Sequence, residues 1–358
     1  MNKRIKKIQK LLVDKNVDCI LIKSKSNKKY INALTGSGVN VLVTRNKAFQ
    51  IMDGRYVNEA KESNTEFEIL VYSQGGDYIS KISELMNAEG YNKLAIEGNQ
   101  ILVKDYLKME KVGLKLVLFT DELDELRKIK DFDEINLVRK ACEITDYIFD
   151  EAIKEIKVGM KEYELSAYIQ YLAIKNGASQ MAFDTIVASG VRGAMPHGRP
   201  TSKAFMNNEA ITIDFGITYE GYQSDMTRTI FIGEPRKEIR KIYDVVKEAQ
   251  MLGISTIKKG SIANEVDKAV REYIYKQGYG EYFTHGLGHG IGMGDGEFPI
   301  LNPKSTTLLE DGMIMSCEPG IYIPGIGGVR IEDDVLIENG IGVPLNKTSK
   351  EYIILKEK

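Results

Sequence analysis

The sequence predicts two domains: an α/β domain over residues 1–125, and a larger domain over residues 126–358 that sets helices beside short β-rich segments. Three observations predict it. At 358 residues the chain exceeds what a single hydrophobic core usually serves. Apolar runs alternate with helical spacing through the first third. Glycine usage then rises after a charged, helical stretch that opens at Asp121.

In the first domain, Asp18-Cys19-Ile20-Leu21-Ile22, Val39-Asn40-Val41-Leu42-Val43, Ala48-Phe49-Gln50-Ile51-Met52 and Glu68-Ile69-Leu70-Val71 read as strands. Leu94-Ala95-Ile96 and Leu114 to Phe119 add two more. Helices between several of them make this an α/β arrangement. From Asp121 to Ile153 an apolar stripe of Ile135, Val138, Cys142, Ile144 and Ile148 runs through Glu, Lys and Arg, a solvated helix that opens the second domain. Beyond it, Asp, His and Glu gather near turns in three stretches: Glu209 to Asp225, Thr284 to Gly296, and Ile314 to Ile337.

Composition narrows the function. Hydrophobic residues make up 43% and charged residues 28%, ordinary globular usage. With 49 Lys plus Arg against 51 Asp plus Glu, no broad basic surface is on offer to nucleic acid or an acidic membrane, and small or peptidic partners fit better. The basic start, Met1-Asn2-Lys3-Arg4, is not followed by the apolar segment of a signal peptide, and no run approaches the roughly 18 apolar residues of a membrane span. Cys19, Cys142 and Cys317 have no paired spacing, which predicts a reducing cytoplasm without disulfides.

The chemistry lies in three places. Ile211-Thr212-Ile213-Asp214-Phe215-Gly216 and Tyr222-Gln223-Ser224-Asp225-Met226-Thr227-Arg228, separated by Tyr219-Glu220-Gly221, read as a β-hairpin. Asp214 in so apolar a strand needs an Arg or a metal as partner, and two carboxylates drawn together by strand pairing repel unless a cation lies between them. The alternative is that Asp225 pairs with Arg228 or Arg330 while Asp214 merely ends a strand. Two of the chain's three histidines fall in Thr284-His285-Gly286-Leu287-Gly288-His289-Gly290-Ile291-Gly292, whose alternating glycines let the backbone pass close to a ligand or another strand. Glu318, in Ser316-Cys317-Glu318-Pro319-Gly320, and Glu332, in Val329-Arg330-Ile331-Glu332-Asp333-Asp334, form a third acidic pair across the glycine turn Pro324 to Gly328.

Asp214, Asp225, His289, Glu318 and Glu332 make a hard, oxygen-rich set. It suits two divalent ions, manganese first and cobalt or zinc as alternatives, better than a structural zinc. Two such ions activate water and polarise a carbonyl oxygen, which is the chemistry of amide hydrolysis. His197, in a Gly- and Pro-rich loop, and His285 are the imidazoles left to serve a substrate.

At these residues the sequence resembles the pita-bread metallopeptidases, in the Xaa-Pro branch of prolidase and aminopeptidase P with its creatinase-like relatives. The matching stretches are Lys128-Ile129-Lys130-Asp131, Phe183-Asp184-Thr185-Ile186-Val187-Ala188-Ser189-Gly190, Asp214-Phe215-Gly216, Ser224 to Thr229, His285 to Gly292, Glu318-Pro319-Gly320 and Arg330-Ile331-Glu332-Asp333. Tyr30 to Gly36 and Asp53-Gly54-Arg55-Tyr56 resemble the creatinase-type amino-terminal domain. The resemblance implies that the second domain is an α+β pita-bread catalytic domain, two related halves around a curved antiparallel sheet. Asp214 would bind one metal, Asp225 and Glu332 would bridge, His289 would hold the other, and Glu318 would ligate and orient the attacking hydroxide. His197 and His285 would act on the substrate, with Phe183, Tyr322 and Arg330 lining the pocket or supporting the ligands. It further implies a homodimer acting on small Xaa-Pro peptides. A creatinase-like hydrolase of a non-peptide C–N bond, or a peptide-binding relative without turnover, are the alternatives. One departure stands out: where relatives read His-Glu-x-Pro, this chain has Asp295-Gly296-Glu297-Phe298-Pro299, with Gly296 in the histidine's place.

Overall fold

The structure, a computed structural model, describes residues 2–63, 66–73, 76–294 and 297–356. It divides into two compact units, Met1–Arg127 and Lys128–Lys358, so the change of unit falls two residues beyond the boundary expected at 125/126.

The first unit is built on a mixed sheet of six strands in the order Glu68–Val71, Ala48–Met52, Val39–Thr44, Cys19–Ile22, Lys93–Glu97, Lys115–Phe119. The six strands match the apolar runs of the sequence to within a residue or so at either end. Cys19–Ile22, buried along its whole length, lies at the centre; it pairs antiparallel with Val39–Thr44 and parallel with Lys93–Glu97. Ile79, Ile82 and Met86 of the helix Tyr78–Glu89 pack on Leu21, Leu42, Phe49 and Ile96. That helix starts where the Asp77 side chain accepts the Ile79 and Ser80 amides.

The periodic stretch from Asp121 is two helices, Glu122–Arg127 and Phe132–Glu155. The second begins with a capping box: the Asp131 side chain accepts the Glu134 amide at 3.0 Å, and Glu134 accepts the Asp131 amide at 2.9 Å. Periodicity alone cannot register such a break, because both helices keep apolar residues inward.

The second unit repeats one order of elements. Helices Phe132–Glu155 and Glu162–Lys175 precede the strands Ile186–Ser189, Glu209–Phe215 and Met226–Ile232; helices Lys237–Thr256 and Ala263–Lys276 precede Gly288–Gly290, Ile314–Cys317 and Asp333–Glu338. Each helix pair covers its own apolar cluster. Phe149, Leu165 and Ile169 meet Ile211, Ile213 and Phe215 in the first half, and Val246, Val266 and Val270 meet Met315, Ile331 and Val335 in the second. The halves join where the Glu332 amide donates to the Thr227 carbonyl at 3.1 Å and the Arg330 amide to the Thr229 hydroxyl at 3.2 Å.

The expected hairpin is present. Glu209–Phe215 pairs antiparallel with Met226–Ile232, with Asp214 opposite Thr227. The connection continues as a second ladder, Ile217–Tyr219 with Tyr222–Gln223, turned at Glu220 and Gly221 with φ of 45° and 95°. Between the ladders, a Cβ on Gly216 would stand 1.8 Å from the Ser224 carbonyl oxygen, so only glycine lets the strands cross there. Gly216→Ala should therefore lower the unfolding free energy of chelator-treated protein by about 3 kcal/mol, read from urea unfolding; an unchanged midpoint would show that this crossing relaxes freely.

Candidate functional site

Alternation along strands chooses which of the clustered polar residues meet. Asp225, Thr227 and Thr229 point to one side of the Met226–Ile232 strand and the residue before it, and Arg330 and Glu332, either side of Ile331 between the strands Gly327–Arg330 and Asp333–Glu338, meet them there. The odd ones out, Arg228 and Asp333, meet behind: the Arg228 guanidinium donates to Asp333 at 2.6 Å and to the Thr348 carbonyl at 2.7 Å, and the Gln250 amide donates to Asp333 at 2.8 Å. Arg228 and Lys350 hold the Asp333 carboxyl below the usual range although burial pushes the other way.

On the front face Asp225, His289 and Glu332 each offer a ligand atom, all within 4.8 Å of one another. His289 Nε2 stands 3.6 Å from Asp225 Oδ2 and 3.6 Å from Glu318 Oε1. Its Nδ1 donates to the Gly290 carbonyl at 3.1 Å, because a carbonyl can only accept, and this leaves the Nε2 lone pair facing the carboxylates. The glycine flanking it serves the strand packing: a Cβ on Gly288 would meet the Ser316 carbonyl oxygen at 2.0 Å. Ser316, two residues before Glu318 and on the same strand face, accepts the His289 amide at 3.0 Å and donates to Glu318 at 3.1 Å.

Asp214 reaches the cluster through Arg330. The Arg330 guanidinium donates to Asp214 Oδ2, to the Thr227 hydroxyl at 3.0 Å, to Tyr322 Oη at 2.8 Å and to the Pro196 carbonyl at 3.2 Å. The Thr227 hydroxyl in turn donates to Glu332 at 2.6 Å. Asp214 thus has the arginine partner that its apolar strand called for, and the alternative, in which Arg330 pairs with Asp225, is not what the structure shows. The Tyr322 hydroxyl, its oxygen engaged by Arg330, donates to His285 Nε2 at 2.9 Å, while His285 Nδ1 donates to the Gly286 carbonyl at 2.7 Å. Burial lowers the His285 pKa, which keeps this ring neutral with both nitrogens occupied.

The charge balance is lopsided. Burial, reinforced by Glu332, Asp214 and Asp334, pushes the Asp225 carboxyl well above the usual carboxylate range. Burial and the neighbouring Glu318 do the same to Glu332, and burial raises Asp214 despite Arg330. One oxygen on each of Asp214, Asp225 and Glu332 is buried without a hydrogen-bond partner among the described residues. Three orphaned carboxylate oxygens and one imidazole lone pair are the donor set of a hard divalent cation, so these residues fit one.

All of this borders a cavity of about 630 Å³, whose lining also holds Phe183, Ile186, Ile291, Ile300 and His197. His197 is exposed there, on the loop that follows the short helical turn Gly190–Ala194. Asp295 and Gly296 lie outside the described residues. Thr227, Ser316 and the His285–Tyr322 link escaped the sequence reading, although period-two spacing from Asp225 and Glu318 picks out the first two.

Arg330→Met leaves Asp214 buried without its cation, which should cost about 3 kcal/mol in urea unfolding with chelator present. A cost near zero would mean that Asp214 is held by something else.

Residues 136–339 match the sequence profile of Metallopeptidase family M24, and residues 4–129 that of the Creatinase/Prolidase N-terminal domain. The chain is 38% identical over 359 residues to a Xaa-Pro dipeptidase of Pyrococcus horikoshii, covering 99% of each chain. Among solved structures, a Xaa-Pro dipeptidase from Bacillus anthracis superposes with a TM-score of 0.94 at 37% identity over 99% of both chains. An X-Pro aminopeptidase from Thermotoga maritima superposes with a TM-score of 0.87 at 34% identity, over 95% of this chain and 98% of the other.

Proposed function

The chain belongs to metallopeptidase family M24, and we propose that it hydrolyses the Xaa-Pro bond of dipeptides or short peptides, with Asp214, Asp225, His289, Glu318 and Glu332 as ligands of two divalent ions, manganese first among them. The observation that carries this reading is the convergence of Asp225, His289 and Glu332 on one point, beside buried carboxylate oxygens that no donor among the described residues satisfies. Divalent ions supply, when bound, activation of water and polarisation of the scissile carbonyl.

The residues divide the remaining work. The Ser316 hydroxyl holds one oxygen of Glu318, which leaves the other to orient the attacking water and take its proton. Arg330 fixes Asp214 and Tyr322 at once, so a ligand carboxylate and a substrate-facing phenol share one rigid support. The neutral His285 ring holds the Tyr322 phenol in the cavity wall beside the substrate, and His197, exposed on the cavity's loop, binds the substrate from that side and stabilises the tetrahedral intermediate. Phe183, Ile186 and Ile300 offer apolar walls to a proline ring, in a cavity of dipeptide scale. A prolyl nitrogen carries no N–H, so such a pocket selects it by shape in place of a hydrogen bond.

The buried free thiols Cys19, Cys142 and Cys317 suit a cytoplasmic setting, and no helix among the described residues is long and apolar enough to cross a membrane. A homodimer completes the reading, as the resemblance implies.

The test is an assay of protein loaded with Mn²⁺, Co²⁺ or Zn²⁺ against Xaa-Pro dipeptides, Xaa-Pro-Yaa tripeptides and peptides without proline. Metal-dependent release confined to proline substrates is expected. Asp225→Asn should lower it more than the roughly hundred-fold typical of losing a supporting partner of a ligand. Folded, metal-loaded protein that leaves every Xaa-Pro peptide intact would overturn the reading.

A further inference from the structure

We propose that Glu162 is a positioning residue for His197, holding both ends of the loop that presents this imidazole to the substrate; the proposal rests on the reading of His197 as a substrate-binding group. Glu162 is the first residue of the helix Glu162–Lys175 and is wholly buried. Its Oε1 accepts the Ser189 amide and hydroxyl, both at 2.9 Å, and the Arg192 Nε–H at 3.2 Å. Its Oε2 accepts Arg192 Nε–H at 3.0 Å, the Thr201 amide at 3.0 Å and the Thr201 hydroxyl at 2.7 Å. Ser189 ends the strand Ile186–Ser189, and Thr201 is where the chain comes back against the start of the Glu162–Lys175 helix, its carbonyl accepting the Tyr163 amide at 3.2 Å, so one carboxylate clamps both ends of the His197 loop.

Within the loop, Arg192 carries the clamp across: while its Nε–H meets Glu162, its Nη2 donates to the Arg199 carbonyl at 2.6 Å. The Met195 amide donates to the Arg192 carbonyl at 2.9 Å, and the Gly198 amide to the Met195 carbonyl at 3.0 Å. At mid-loop the Pro196 carbonyl accepts Arg330, the guanidinium that also holds Asp214. His197 is exposed, so the loop backbone sets where its ring stands. A buried carboxylate at a helix start is favoured by the helix dipole and makes charge-assisted bonds stronger than neutral ones, properties suited to holding a loop still.

The experiment is a double-mutant cycle of Glu162→Gln with His197→Ala. A glutamine keeps the volume, but its amide nitrogen cannot accept, and each oxygen of Glu162 faces a backbone N–H; whichever way the amide lies, one end of the loop is released. On the wild-type background kcat/KM for a Xaa-Pro dipeptide should fall on the order of a hundred-fold, the scale of a 1 Å misplacement. On the His197→Ala background the same change should cost less than about two-fold, because the group being positioned is gone. Backbone hydrogen exchange over residues 190–201 should quicken by roughly ten-fold in Glu162→Gln with bound metal unchanged, a readout independent of turnover.

Equal losses on both backgrounds, or unaltered exchange, overturn the proposal. Wild-type protein without Xaa-Pro turnover would instead sink the functional reading, and the exchange measurement would still decide whether Glu162 holds the loop. If Glu162→Gln does not fold, Thr201→Ala takes its place in the cycle, with a smaller loss in the same direction.

Discussion

Carboxylates that repel one another are held on strands too short of protein cations to neutralise them, and much of the second unit answers that one constraint. Arg330 is the cation the front face does have, and it is spread over four acceptors: Asp214, Thr227, Tyr322 and the Pro196 carbonyl. A guanidinium presents its donors in a fixed plane, so spreading it this way locks the relative positions of groups from four parts of the chain. A lysine in its place would supply the charge and lose the geometry. What Arg330 leaves unmet are the oxygens of Asp214, Asp225 and Glu332 that no donor among the described residues reaches.

At the rear of the same strands both oxygens of Asp333 are paired. Arg228, Lys350 and Gln250 converge on Asp333, and the Arg228 guanidinium also takes up carbonyls of the chain's last segment. Two acidic neighbours, Glu332 and Asp333, thereby live in opposite electrostatic settings: burial and Glu318 raise the first, while Arg228 and Lys350 lower the second. Alternation along the strand makes this separation with one backbone step. Satisfying the rear with protein cations keeps them from competing for the carboxylates in front.

This alternation also explains what was legible in the sequence. The six strands of the first unit could be read because each is an apolar run bounded by turn residues, and the Asp214 hairpin because Tyr219-Glu220-Gly221 carries the turn chemistry such a connection needs. The proposed ligand set stood out because charged residues in β-branched strands have no cheap structural reason to be there. The break at Asp131 was less legible, since a capping box interrupts a helix without disturbing its apolar stripe. Arg330 as the partner of Asp214, and the coupling of Tyr322 to His285, were illegible for a different reason. They join residues 116 and 37 positions apart, and sequence spacing carries no information about contacts made by tertiary folding.

Groups that share a cation must hold their separation to a few tenths of an ångström, and paired strands do this through ladder bonds on both sides; the proposed ligands Asp214, Asp225, His289, Glu318 and Glu332 accordingly sit in or next to strands. An imidazole that meets the substrate has to stand clear of the sheet, which forces it onto a connection with few ladder bonds of its own. The chain resolves this by giving the His197 loop side-chain anchors where the ladder ends: Glu162 at both ends and Arg330 at its middle. Because Arg330 also holds Asp214, the loop and the carboxylate cluster share a fixed point, while the ends of the loop are held separately by Glu162.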